Sequence, residues 1–130
     1  MAPSTKLSVK RGFGGFAVPD LEVARNFYGD VLGLDVSDVM GMLQLTLPGG
    51  TGVGVIVYDK ADHQPAVFTV LNLSVPDIEQ AVDALAERGV AMLRYEGFGQ
   101  DERGISRGEG MPTGGWIADP AGNIIAIMQE

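Results

Sequence analysis

A seven-residue phrase occurs twice in this chain, and the repetition limits its possible architectures more than any other feature. The first copy is Val18-Pro19-Asp20-Leu21-Glu22-Val23-Ala24 and the second is Val75-Pro76-Asp77-Ile78-Glu79-Gln80-Ala81. Five of the seven positions are identical, and the exchange of Leu21 for Ile78 keeps its apolar character. Each copy follows an alternating, strand-like run and opens an apolar-periodic run that stops at a glycine. Two copies of one strand-to-helix unit are implied, rather than a long array.

The chemistry of the phrase is local. Pro19 and Pro76 lack the amide that a continuing ladder needs, so each ends its strand. Asp20 and Asp77 then stand where a helix begins, with a carboxylate able to accept from the free amides of the first turn. Glu22 and Glu79 add negative charge at the end of the helix dipole that favours it. Capping accounts for both aspartates without a catalytic role.

The pattern extends in order along the chain. Met1 to Leu7 reads as a loose leader. Val9 to Val18 reads as a strand with Phe13, Gly15 and Ala17 on one face and Gly14, Phe16 and Val18 on the other. The first helix carries Leu21, Ala24, Tyr28 and Val31 on one stripe and runs to about Leu32, stopping at Gly33. Strands follow at Leu34–Val39 and Met40–Leu47, then a turn at Pro48-Gly49-Gly50 and a β-branched strand, read as buried, at Val53–Tyr58.

The second half repeats this. Val67 to Val75 alternates, with Leu71, Leu73 and Val75 on one face and Val70, Asn72 and Ser74 on the other. A helix striped by Ile78, Ala81, Val82 and Leu85 ends at Gly89. A strand at Val90–Glu96 and a glycine-rich charged loop at Gly97–Met111 come next. A hairpin pairs Gly114–Ala118 with Asn123–Met128 about the turn Asp119-Pro120-Ala121-Gly122. The fold class is therefore α+β: two tandem βαβββ modules, at about 9–58 and 67–130, joined by a linker at about 59–66. Together they are expected to form a curved mixed sheet in a single domain over residues 1–130, with a concave face able to hold a pocket.

Composition narrows the functions. The chain has 130 residues and no cysteine, which excludes disulfides, thiolate metal sites and a cysteine nucleophile, and suits a reducing, cytoplasmic setting. Met1 to Arg11 lacks the apolar core of a signal peptide, and no run approaches the roughly 20 apolar residues that span a bilayer. A net charge of −8 repels phosphate, so neither nucleic acid nor an anionic membrane is expected as a partner. The P-loop, GxSxG, CxxC and HExxH patterns are missing. Gly12-Phe13-Gly14-Gly15 lies inside a strand rather than between strand and helix, so it is no dinucleotide fingerprint.

Several stretches, in order, resemble the glyoxalase, bleomycin-resistance and extradiol-dioxygenase group, also called the vicinal oxygen chelate (VOC) superfamily. They are Phe16-Ala17-Val18-Pro19-Asp20-Leu21, Arg25-Asn26-Phe27-Tyr28, Val31-Leu32-Gly33-Leu34 and the closing Trp116-Ile117-Ala118-Asp119-Pro120-Ala121-Gly122-Asn123. The likeness spans about Phe13 to Glu130. It implies the paired-module fold, a homodimer and, for the enzymes of the group, a divalent metal held on the concave face. By position the implied ligands fall on Phe13, Val70, Ala126 and either Gly54 or Val55. None of these side chains offers a lone pair, whereas a divalent site needs three or four such donors. No metal and no cofactor are therefore expected at these positions. His63, the only histidine, falls in the linker and reads as a solvated surface side chain.

The expected function is metal-independent binding of a small apolar or amphipathic molecule in the concave cavity. The alternatives are a metal-dependent VOC enzyme (a lyase, isomerase or dioxygenase) with a non-standard site, and an interaction module whose cavity is filled. Candidate cavity residues are Phe13, Val70, Trp116, Ala126 and Met128 as apolar lining, with Gln44, Asn72, Ser74 and Tyr95 as polar contacts. Arg103 and Arg107 are candidates for a lid formed by the long loop, where either would meet an anionic group on the ligand.

Overall fold

The structure, a computed structural model, describes residues 6–49 and 54–130. Most of the expected leader, Met1 to Thr5, lies outside these residues, as do Gly50 of the expected turn and Val53 at the head of the expected strand. The elements run β1 (Gly14–Val18), α1 (Leu21–Arg25) continuing as a π-helical turn (Asn26–Val31), β2 (Asp35–Val39), β3 (Met42–Thr46) and β4 (Gly54–Asp59). The second module supplies β5 (Thr69–Val75), α2 (Ile78–Glu87), β6 (Gly114–Ala118) and β7 (Ile124–Gln129).

The repeated phrase does what its residues dictate. Asp20 Oδ1 accepts from the amides of Glu22 at 2.9 Å and Val23 at 3.3 Å. Asp77 Oδ1 accepts from the amide of Gln80 at 3.1 Å. Both helices end at glycines in the left-handed region, Gly33 at φ 73° and Gly89 at φ 78°. The first helix widens partway: the Leu32 amide reaches back to the Phe27 carbonyl, five residues earlier, at 2.9 Å. Such a bulge changes which side chains face inward, and both Phe27 and Tyr28 are buried here.

Two sheets result. The first has the order β1-β4-β3-β2, with β1 parallel to β4 and the rest antiparallel. The second has the order β5-β7-β6, with β5 parallel to β7. Each module thus contributes one mixed sheet. Strand alternation gives each one face in the core, where Leu43, Leu45, Val57, Ile117 and Ile125 are fully buried beside Ile78 of α2.

One expected strand is absent. Val90–Glu96 forms no ladder, and only the Leu93 amide bonds to β6, at the Trp116 carbonyl at 2.8 Å. The reason is Gln100, whose side chain occupies the groups a ladder would use. Its Oε1 accepts from the Tyr95 amide at 2.7 Å, and its Nε2 donates to the carbonyls of Leu93 and Gly104 at 2.9 and 2.8 Å. The expected strand at Val9–Val18 is likewise shorter, pairing only from Gly14.

The halves meet at the β6–β7 turn. Tyr28 Oη donates to Asp119 Oδ2 at 2.6 Å, and Asn123 Nδ2 donates to the Ala17 carbonyl at 2.9 Å. Asp119 Oδ1 also accepts from the amides of Ala121 and Asn123, so its turn role and its joining role coexist. Burial, together with the neighbouring Asp119 charge, pushes the Tyr28 hydroxyl well above its ordinary value.

Candidate functional site

The outward face of the first sheet carries an open hollow of about 400 Å³. Its rows follow from register: Ser37, Gln44, Ile56 and Gly15 lie side by side across the four strands, and Val39 pairs with Met42. Because Leu43, Leu45, Val55 and Val57 point into the core, alternation sends Met42, Gln44, Ile56 and Tyr58 to the other side. Phe13 stands at the rim, 54% exposed, with the Arg11 guanidinium 4.8 Å from its ring centroid. Gly15 and Gly54 contribute bare backbone. A Cβ on Gly54 would come within 3.2 Å of the Gln44 side chain, and one on Gly15 within 3.1 Å of the Ile56 carbonyl oxygen. The lining is apolar, with Gln44 and Arg11 as its hydrogen-bonding side chains beside the Tyr58 hydroxyl.

The second sheet is differently furnished. Asn72, Ala126 and Trp116 share a row and, with Met128 and Met111, line a shallow hollow of about 160 Å³. Trp116 is covered on one side by Tyr95 and Phe98, with ring centroids 5.3 and 5.0 Å away in edge-to-face arrangements. These rings, with Phe68 and Val67, wall a neighbouring hollow of about 380 Å³.

The loop that carries Phe98 is pinned rather than free. Asp101 Oδ1 accepts from the amides of Arg103 and Ile105 at 2.9 and 3.0 Å, and those bonds, together with Arg107, hold its carboxyl below the usual range. Arg94 donates to the carbonyls of Asp101 and Glu102. Ser106 pairs with Gly114 on the outer edge of β6.

The structure therefore distributes the expected residues over separate hollows. Phe13 and Gln44 meet on the first sheet. Asn72, Trp116, Ala126 and Met128 meet on the second, Tyr95 adjoins them, and Ser74 lies beside Met128 in register. Three expectations are corrected. Val70 does not share the face of Asn72, because a bulge between Thr69 and Leu71 shifts the register, and it lines a third hollow with Ala17, Tyr58 and His63. Arg103 and Arg107 do not reach a cavity, because acids on α2 capture them. Arg103 pairs with Glu79 at 2.8 Å and with Asp83, and Arg107 pairs with Glu79 at 2.9 Å. His63 is not simply solvated, since its Nε2 is buried without a hydrogen-bond partner among the described residues.

The sequence reading missed Ile56, Tyr58, Phe98 and Phe68. The first two were hidden in a continuous apolar run read as wholly buried, although alternation from Val55 and Val57 places them outward. Phe68 and Phe98 sit in irregular backbone with no period to mark them.

The residues at the implied ligand positions do not fit a divalent metal. Phe13 presents a ring to the hollow rim, Gly54 presents backbone, Ala126 sits in the Trp116 row and Val70 lies in the bulge. Among the described residues, no three of His, Cys, Asp and Glu gather as an ion would require. No helix among them is long and apolar enough to cross a membrane.

Comparison with known proteins places this geometry. A family model described as Glyoxalase/Bleomycin resistance protein/Dioxygenase superfamily matches residues 13–127. A member of that superfamily from Sphaerobacter thermophilus DSM 20745 has a similar structure, with a TM-score of 0.68 and 21% identity over 92% of this chain and 98% of that one. TnmS3, an antibiotic binding protein from Streptomyces sp. CB03234, gives a TM-score of 0.65 and 24% identity over 95% and 98%. The fosfomycin resistance protein FosX from Listeria monocytogenes gives 0.68 and 9% identity over 95% of each chain. No curated protein matches by sequence.

Proposed function

The chain belongs to the Glyoxalase/Bleomycin resistance protein/Dioxygenase superfamily, and on that premise we propose that it binds a small apolar or amphipathic molecule on the open face of its first sheet without using a metal. One observation carries this reading: a hollow of about 400 Å³ whose walls are Phe13, Met42, Ile56 and Tyr58 and whose floor includes bare glycine backbone. Apolar surface held open to water is what an apolar ligand would cover, at about 25 cal/mol per Å² removed from solvent. Gln44 and Arg11 supply the few polar contacts that orient such a ligand. The hollow's openness argues against the filled-cavity interaction module.

The antibiotic binding and fosfomycin resistance proteins share only the fold with this chain. Sequestration of a toxic or antibiotic compound is one form the function would take. A homodimer and a cytoplasmic setting belong to the same proposal, the latter supported by the absence of cysteine and the former checked by light scattering.

Thermal melting of the purified chain against a panel of neutral apolar dyes and aromatic antibiotics tests the proposal. A binder present at 100 times its dissociation constant stabilises the folded state by about 2.7 kcal/mol. A panel that leaves the melting curve unmoved removes the reading. Near-stoichiometric zinc, nickel, iron or manganese in the same preparation would sink its metal-independence and favour an enzyme with a non-standard site.

A further inference from the structure

The turn between β2 and β3 is made by Met40 and Gly41, closed by the pair Val39 and Met42. Both turn residues have positive φ, 51° at Met40 and 80° at Gly41. That geometry suits asparagine, aspartate or glycine at both central positions. A methionine there carries backbone strain, because its Cβ crowds the following carbonyl oxygen. Met40 is the one residue other than glycine with positive φ among those described. Strain of this kind persists where something other than the local backbone preference selects the residue.

The side chain recovers nothing from burial, since Met40 is 92% exposed. An apolar side chain that is both strained and solvated contributes neither to the core nor to solubility. Its position gives it another use. Met40 lines the first-sheet hollow together with Phe13, Met42 and Tyr58. Methionine is unbranched, adapts to irregular shapes, and its sulfur packs favourably at the edges of aromatic rings.

We propose that Met40 is a flap over the first-sheet hollow, folding onto an apolar, ring-bearing occupant and setting which shapes the hollow accepts. This rests on the reading of that hollow as the ligand site. Two effects of opposite sign follow from a single change. Met40→Asn relieves the turn and should raise the melting temperature, while it removes the flap and should weaken binding.

The test uses the full chain and the neutral apolar dye Nile red, followed by fluorescence titration and thermal melting. Wild type, Met40→Asn, Met40→Leu and Phe13→Asp are compared. The expected result is a higher melting temperature for Met40→Asn with affinity weakened about tenfold, the scale set by losing one apolar side chain from a contact. Met40→Leu should recover part of the affinity. Binding by Met40→Asn within a factor of two of wild type overturns the flap, and so does a lower melting temperature, which would make Met40 a stabilising residue of the turn. If wild type does not bind Nile red, or if Phe13→Asp binds as wild type does, the hollow is not the site and the flap falls with it. That outcome differs visibly from loss of the flap alone.

Discussion

In the first sheet, β2 lies outside β3 and completes a four-stranded face that stays open to solvent. In the second, the place beside β6 is held by irregular chain, from Leu93 on the Trp116 carbonyl to Ser106 on Gly114. The Gly-Gly pairs of β1 and β6 reflect the contrast. At Gly14-Gly15 a Cβ on the first glycine would meet nothing within 4 Å. At Gly114-Gly115 a Cβ on the first would strike the Ile127 carbonyl oxygen and lie 2.9 Å from Met128 Cα, and one on the second would lie 2.8 Å from the Gly104 carbonyl oxygen. The first glycine of the dipeptide is open in one module and pressed against β7 in the other, where the second glycine also meets the loop at Gly104. Two units with one starting phrase have therefore diverged in their outer strands, leaving one module with a single hollow of about 400 Å³ across its open strands and the other with an aromatic wall between hollows of about 160 and 380 Å³.

Substitution at these glycines breaks the comparison most sharply. Gly114→Ala should destabilise the chain by about 3 kcal/mol or more, because the obstructing atoms are backbone and cannot step aside. Gly14→Ala should stay within about 0.5 kcal/mol of wild type. Urea unfolding measures both, and equal losses would mean the two pairs are equivalent after all.

The joint between the modules comes next. Tyr28→Phe leaves the Asp119 carboxylate without its hydroxyl donor and should lower stability by about 2 kcal/mol. The folded-state value of Tyr28 is raised above the ordinary 10.0, so its contribution is complete below that pH and lost as pH rises beyond it. Wild type should therefore weaken above pH 10 in chemical unfolding, and Tyr28→Phe should show a smaller alkaline decline. An unchanged decline would show that this pair does not couple the halves.

The mildest change probes the loop alone. Gln100→Ala removes three hydrogen bonds, two of them partly buried, and should cost about 1–2 kcal/mol locally. Amide exchange should quicken around Leu93 to Ser106 and Trp116 emission should shift, while dye binding at Phe13 stays as it was. Faster exchange in β2 and β3 as well would mean that the modules do not behave separately.

How much of this was legible depends on the range of the interaction. Asp20 and Asp77 announced their caps because a cap is settled within three residues of itself, and Gly33 and Gly89 announced the helix ends for the same reason. Period-two alternation grouped Phe13 with Gly15 and Ala17 on one face of the first strand and Asn72 with Ser74 on one face of the fifth. Val70 escaped because one bulged residue inverts the alternation, and nothing local marks it. Arg103 and Arg107 escaped because their partner Glu79 lies 24 and 28 residues away, a pairing that exists only once α2 and the loop are folded side by side.

The sequence by itself thus determined the two modules, their helix boundaries, the family and the absence of metal-donor side chains at the implied ligand positions, since each rests on residue identity and short spacing. Only the tertiary structure decided that the second module forgoes a strand, that the candidate residues fall into separate hollows, and that Met40 carries a strained turn at the rim of one of them. Those outcomes rest on Gln100 outcompeting a ladder and on which surfaces remain uncovered after packing. Both are settled by contacts between parts of the chain that carry no record of each other in their local pattern.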